Sequence, residues 1–118
     1  MSIELSELIA ALAPKASAFD SGMVGRYVLV RCRDAGVHTG VLVAHSGREC
    51  TLREARRLWK WKPAEGGLLS SVAEHGLSDG ESIVAEPQAL ICLTEACEIS
   101  LCSSKAEASI RACKSSHR

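Results

Sequence analysis

Two hydrophobic periods divide the chain. Leu5, Leu8, Ile9 and Leu12 share one helical stripe, with Ser2 placed to cap it and Pro14 to stop it, which predicts an amphipathic helix over Ile3 to Ala13. Lys15 to Gly25 is small and polar and reads as a linker. From Arg26 the period becomes two: Val28, Val30 and Cys32 point one way, Tyr27, Leu29, Arg31 and Arg33 the other. Asp34-Ala35-Gly36 supplies a tight turn, Val37 to His45 a second strand, Ser46-Gly47 a second turn and Arg48 to Leu52 a third strand. That spacing predicts an antiparallel meander.

Beyond Leu52 the pattern is mixed. Trp59 and Trp61 alternate with Lys60 and Lys62 as in a strand, whereas Ala55, Leu58, Trp59 and Lys62 fit a helical stripe; a turn followed by a strand is the favoured reading of Arg53 to Lys62. Leu68 to His75 predicts a short helix ended by Gly76, and Ser78 to Glu81 a loop. Leu90 to Leu93 and Cys97 to Leu101 read as strands about Thr94-Glu95. Ser104-Lys-Ala-Glu107 reads as a capping box opening a last helix through Cys113. The expected fold class is α+β: a small bent antiparallel sheet or SH3-like partial barrel with flanking helices. Residues 1–25 would be N-terminal helix and linker, 26–113 a single α+β domain and 114–118 a frayed tail.

Length and composition sharpen this picture without redirecting it. A chain of 118 residues is one domain. Its aromatics are Phe19, Tyr27, Trp59 and Trp61, so the core must come from aliphatic side chains and cysteine. The six cysteines sit largely at apolar positions, and Glu4 and Glu7 stand where an export signal would want cations. Free buried thiols in a reducing cytoplasm are expected rather than three disulfides. No window reaches the roughly 20 apolar residues of a membrane span, so no membrane association is expected.

The zero net charge conceals an opposition. Between Arg26 and Lys62 there are nine basic residues against three acidic ones; between Glu65 and Cys102 there are seven acids and no Lys or Arg. Such asymmetry permits the basic half of one copy to meet the acidic half of another, and a homo-oligomer is expected.

Signatures of catalysis are missing from this sequence. It has no nucleophile elbow, P-loop, dinucleotide fingerprint or paired-histidine zinc helix, and no enzyme activity or cofactor is expected. Cys92, Cys97 and Cys102 recur every five residues, which sends successive strand cysteines to opposite faces and argues against a metal site. His38 and His45 flank turns, where solvated histidines are usual, although each could sense pH or touch a ligand, His38 being the one placed in the candidate site. The concentrated signal is Arg53, Arg56, Arg57, Trp59, Lys60, Trp61 and Lys62 within ten residues. Guanidinium groups fork onto phosphate or carboxylate oxygens and indole faces stack on bases or cations. The bland alternative is that the tryptophans fill the core and the arginines are solvated. Arg31 and Arg33 would extend the positive surface if they share its face.

Three blocks carry a resemblance: Tyr27-Val-Leu-Val-Arg31, Asp34-Ala-Gly-Val-His-Thr-Gly40 and Leu52-Arg-Glu-Ala-Arg-Arg-Leu-Trp-Lys-Trp61, followed by Leu68 to Gly76 and Leu93-Thr-Glu-Ala-Cys-Glu-Ile99. Together, over about Gly25 to Ile110, the chain resembles a family of small proteins encoded by bacteriophages and prophages. The resemblance implies a phage context and little chemistry, and it does not extend to the N-terminal helix or the cysteines. At the level of fold, the strand-turn-strand order looks like the first strands of Sm-like and other SH3-like small barrels; their RNA-contacting residues find no match here position by position.

The expectation is therefore a non-enzymatic phage accessory protein in the bacterial host cytoplasm, oligomeric, binding an anionic target through Arg31, Arg33, His38, Arg53, Arg56, Arg57, Trp59, Lys60 and Trp61. Arg56 and Arg57 would neutralise charge while Trp59 or Trp61 stacks. An anti-defence role, sequestering a nucleotide signal or blocking an acidic host protein, is its concrete form. The alternatives are an Sm-like nucleic-acid-binding barrel and a virion structural or assembly protein.

Overall fold

The computed structural model describes residues 22–115, so the expected helix over Ile3 to Ala13 and most of the linker lie outside the described residues. Six strands follow: β1 (Tyr27–Cys32), β2 (Val37–Ser46), β3 (Glu49–Lys60), β4 (Ile83–Val84), β5 (Gln88–Leu93) and β6 (Ala96–Leu101). Helix α1 (Leu69–His75) and a short 3-10 turn (Asp79–Glu81) precede β4, and helix α2 (Ser104–Ala112) follows β6. The domain is α+β, as its mixed periods predict.

All strands join one antiparallel sheet. β1, β2 and β3 form the expected meander, and β6 lies along the free side of β1. Two strands share the far side of β3: β5 pairs with Cys50–Ala55 and β4 with Leu58 and Lys60. β5 and β6 are separated only by Thr94 and Glu95, yet they sit at opposite ends of the strand order. That short link forces the sheet to bend, without closing it.

Strand alternation divides the interior into two cores. Val28, Val30, Cys32, Leu42, Cys50, Leu52 and Leu93 form the core on one face of the sheet. Tyr27, Leu29, Val41 and Leu58 point the other way, against Val72 and Ala73 of α1 and Ala106 and Ile110 of α2. β1 is buried on both faces, the mark of a central strand. Truncating a residue such as Leu52 or Ile110, both fully buried, would cost about 2–5 kcal/mol.

The helices end where their sequences say. Gly76 adopts φ +88° after α1 and its N–H donates to the Val72 carbonyl at 2.8 Å; a Cβ there would strike Ser109 of α2. The start of α2 is one residue earlier than the capping box implies. Ser103, not Ser104, is the cap, its hydroxyl accepting from the Ala106 N–H at 3.0 Å, and Glu107 turns instead to Arg111 one turn on. Lys114 and Ser115, which the sequence places in a frayed tail, are held: the Lys114 N–H donates to the Asp79 carboxylate and Ser115 bridges Val84.

The stretch from Arg53 to Lys60 is not a turn and a new strand. It continues β3, interrupted by two bulges. Val41 faces Arg53 but Thr39 faces Arg56, so one extra residue sits on β3 between them. Glu54 absorbs it at φ +53°, the one non-glycine with positive φ among the described residues. Gly40 lies opposite, where a Cβ would be 2.9 Å from the Arg53 carbonyl oxygen and 3.2 Å from the Ala55 Cα. The second bulge falls at Trp59, where Leu58 pairs Val84 and Lys60 pairs Ile83.

Candidate functional site

Each bulge exposes two consecutive side chains, and each pair belongs to a different surface. The first exposes Arg53 and Glu54 and then buries Ala55 and Arg56; the second exposes Trp59 and Lys60 before Trp61 packs back against the helix-side core. The compact cluster written into the sequence is thereby dispersed.

Arg56 leaves the surface altogether. It is 3% exposed, on the row of Leu29 and Thr39 that faces the helices. Its Nε donates to the Ala85 carbonyl at 2.8 Å, Nη1 to the Ile110 carbonyl at 2.7 Å and Nη2 to the Ser115 hydroxyl at 3.2 Å. No carboxylate among the described residues pairs with it. Three strong acceptors, one near the negative end of α2, carry the desolvated cation. Because the Glu54 bulge shifts alternation by one residue, the reading of Arg56 as a ligand-neutralising group gives way to that of a clamp between β3, the end of α2 and the segment after it.

Arg57 takes the opposite face with Val30 and His38, its cross-strand neighbours. Its guanidinium lies 4.0 Å from the centroid of the Trp59 ring, a cation–π stack on an indole 54% exposed. Lys60 is exposed beside it, and Lys62 reaches Glu81 at 3.9 Å. Arg57, Trp59 and Lys60 therefore form a ledge at the β1–β2 turn end of the sheet. Gly36, whose φ is +83°, lies alongside: a Cβ there would sit 3.6 Å from the Arg57 guanidinium.

The other expected contributors lie elsewhere. Arg31 and Arg33 are exposed at the end of β1, but Arg31 pairs with Val37 and Glu98, on the face opposite Arg57. Rather than being solvated, His38 is buried: its Nε2 lies 2.9 Å from the Ala35 carbonyl, which can only accept, so Nε2 carries the proton. Burial holds its pKa below the ordinary value, against that hydrogen bond, and Arg57 lowers it further. Trp61 is half-buried packing.

Arg53 lines a cleft between α2 and the sheet, about 410 Å3 in volume, with Arg26, Tyr27, Glu54, Glu107 and Arg111. Arg111 bridges Glu107 at 2.8 Å and Glu54 at 3.1 Å, and stacks 4.8 Å from the Tyr27 ring. Tyr27, its pKa raised by burial, donates to Thr39 at 3.1 Å. Sequence reasoning counts Arg26 only as a charge and leaves Arg111 on a helix; the local signal is the Glu107–Arg111 spacing of four, but only the fold brings them to Arg53.

The thiols divide similarly. Cys32, Cys50, Cys102 and Cys113 are buried as expected, whereas Cys92 and Cys97 are exposed. Burial raises the Cys50 thiol to about 11 and the Cys102 thiol to about 12, and all six cysteines are free.

A domain family of unknown function, DUF6948, matches residues 25–110. The chain belongs to that family. The DUF6948 match takes in every strand, both bulges, the ledge and the whole of α1, and ends within α2 at Ile110. Among curated proteins and solved structures none matches the chain.

Proposed function

We propose that this DUF6948 domain is a non-catalytic binding module whose Arg57–Trp59–Lys60 ledge takes an acidic surface of another protein. The observation that carries the reading is the half-exposed Trp59 indole with Arg57 stacked on it. Trp and Arg are the side chains that dominate binding energy at protein interfaces, and here the two are pre-packed, so little side-chain freedom is lost on association. The bulge at Trp59 is the kind of device that re-aims a side chain outward.

Openness of the ledge disfavours an enclosed mononucleotide, and the charge pattern disfavours nucleic acid. Affinity for a phosphate backbone grows with the number of cations contacting it, and this chain is neutral overall with no Lys or Arg between Glu65 and Cys102. Buried thiols with raised pKa values and an imidazole bound to a backbone carbonyl are poorly placed as nucleophile and base, which supports a non-enzymatic reading. In the phage setting that the sequence resemblance implies, the module would cover an acidic patch on a host protein. A second copy of the chain, with its own acidic half, is the oligomeric form of the same chemistry.

Trp59 itself reports on the proposal. In a Trp61→Phe variant, a short poly-glutamate peptide should change Trp59 fluorescence saturably, the effect weakening with salt and disappearing in Arg57→Ala/Lys60→Ala. A response to oligothymidine but not to poly-glutamate would replace this reading with nucleic-acid binding; no response to either would remove the ledge as a site.

A further inference from the structure

We propose that the cleft between α2 and the sheet is a separate binding site for a phosphate-type dianion, held between Arg26 and Arg53. Both arginines line the cavity, and neither has an acidic partner among the described residues. The third arginine, Arg111, is committed to Glu54 and Glu107 and so is fixed in place, in a triad whose two carboxylates exceed its one positive charge. The lining's three arginines and two glutamates leave a net charge of +1, and Arg26 and Arg53 are the two cations that no carboxylate among the described residues pairs. Like charges brought together in a cleft repel one another, and a bound anion removes that cost while gaining charge-assisted hydrogen bonds from two guanidinium forks.

Three further features fit a bound phosphate. Ser104, the first residue of α2, lines the cleft, so the positive end of that helix lies at one edge of a wall that Glu107 and Arg111 continue. Glu54 stands at the cleft in a left-handed conformation, and strain of this type collects where a ligand is clamped. Arg111 covers the Tyr27 ring, and Tyr27 is itself buried, so no aromatic face is left for a base. The part of the ligand that is recognised is thus the phosphate, free or as a monoester. The cleft is independent of the ledge. Arg53 and Trp59 are six residues apart on β3, about 20 Å along a strand, and the Tyr27–Val41–Arg53 row faces the helix side while the Val30–His38–Arg57 row faces away.

Thermal unfolding with inorganic phosphate, matched against chloride at equal ionic strength, tests the site on the whole chain. Phosphate should raise the midpoint of the wild type and of Arg57→Ala, because a ligand of the folded state stabilises by mass action. Arg26→Ala/Arg53→Ala should need at least about tenfold more phosphate for the same rise, and Arg53→Lys should recover part of it. Both arginines are exposed, so these variants keep the fold; phosphorus NMR line broadening gives a second reading of binding. A double variant that responds like the wild type, or chloride matching phosphate, would overturn the proposal. Adenosine monophosphate should bind no more tightly than phosphate itself; much tighter binding would overturn the assignment to phosphate alone.

Discussion

Arg56 and Arg57 are adjacent in sequence, identical in chemistry and opposite in fate. One guanidinium is sealed between β3, the end of α2 and Ser115, with its donors on two carbonyls and a hydroxyl. The other is half-buried on the opposite face of the sheet, stacked on Trp59. Strand alternation alone would separate them, but not say which goes in. The bulge at Glu54 decides it: with one extra residue between Arg53 and Arg56, the inward position falls on Arg56 and the outward one on Arg57. A run of basic residues is thus not a surface until the register is known.

The largest expected effect breaks the pair apart energetically. Arg56→Ala leaves the Ala85 and Ile110 carbonyls without their guanidinium donors in a dry site, and should cost about 3 kcal/mol or more. Arg57→Ala removes one exposed cation–π stack and should cost less than about 1 kcal/mol. Urea midpoints of the two variants measure the difference directly. Equal losses would mean that the inside and outside assignments are mistaken.

Gly40→Ala strikes the device that sorts the two arginines. Its Cβ would press on backbone atoms of Arg53 and Ala55, which cannot move without straightening the bulge. A loss of about 1–3 kcal/mol is expected, together with greater exposure of the Arg56 environment, readable as faster amide exchange at Cys113, whose N–H donates to the Ile110 carbonyl that Arg56 also holds. A neutral Gly40→Ala would show that the bulge tolerates a side chain opposite it.

Much of the fold is legible in the residue pattern alone. The β1–β2–β3 meander, α1 with its Gly76 stop and the two strands about Thr94-Glu95 all follow from period and turn residues, because each is decided within a few neighbouring positions. What stays illegible depends on distant partners. The two-residue β4 has too little chain to show a period, and it exists because Leu58 and Lys60 offer it an edge. The bulges have no composition signal on β3 itself: Glu54 occupies a backbone region that usually calls for glycine, and the permissive residue, Gly40, lies on the next strand. The site suffers accordingly. Trp59 and Arg57 emerge from the basic-aromatic cluster, Arg56 and Trp61 drop into the interior, and the cleft's Arg26 and Arg111, 85 residues apart by numbering, can meet only in three dimensions.

The smallest effect concerns His38, which sits directly across from Arg57 and turns the comparison into a titration. Burial is the main reason its pKa lies below 6.5; the bond to the Ala35 carbonyl opposes the shift and Arg57 adds to it. Above 6.5 the imidazole is neutral in folded and unfolded chains alike, and its contribution is fully present. As pH falls from 6.5 towards the lower folded value, the unfolded chain takes up a proton that the folded chain refuses, so stability is lost across that window and levels off below it. His38→Gln should flatten this component, measured as the difference in urea midpoint above and below 6.5. Arg57→Ala should shrink it without abolishing it, since burial remains and only the neighbouring cation has gone. Identical pH slopes in the wild type and both variants would mean that His38 titrates as in water and that Arg57 does not face it.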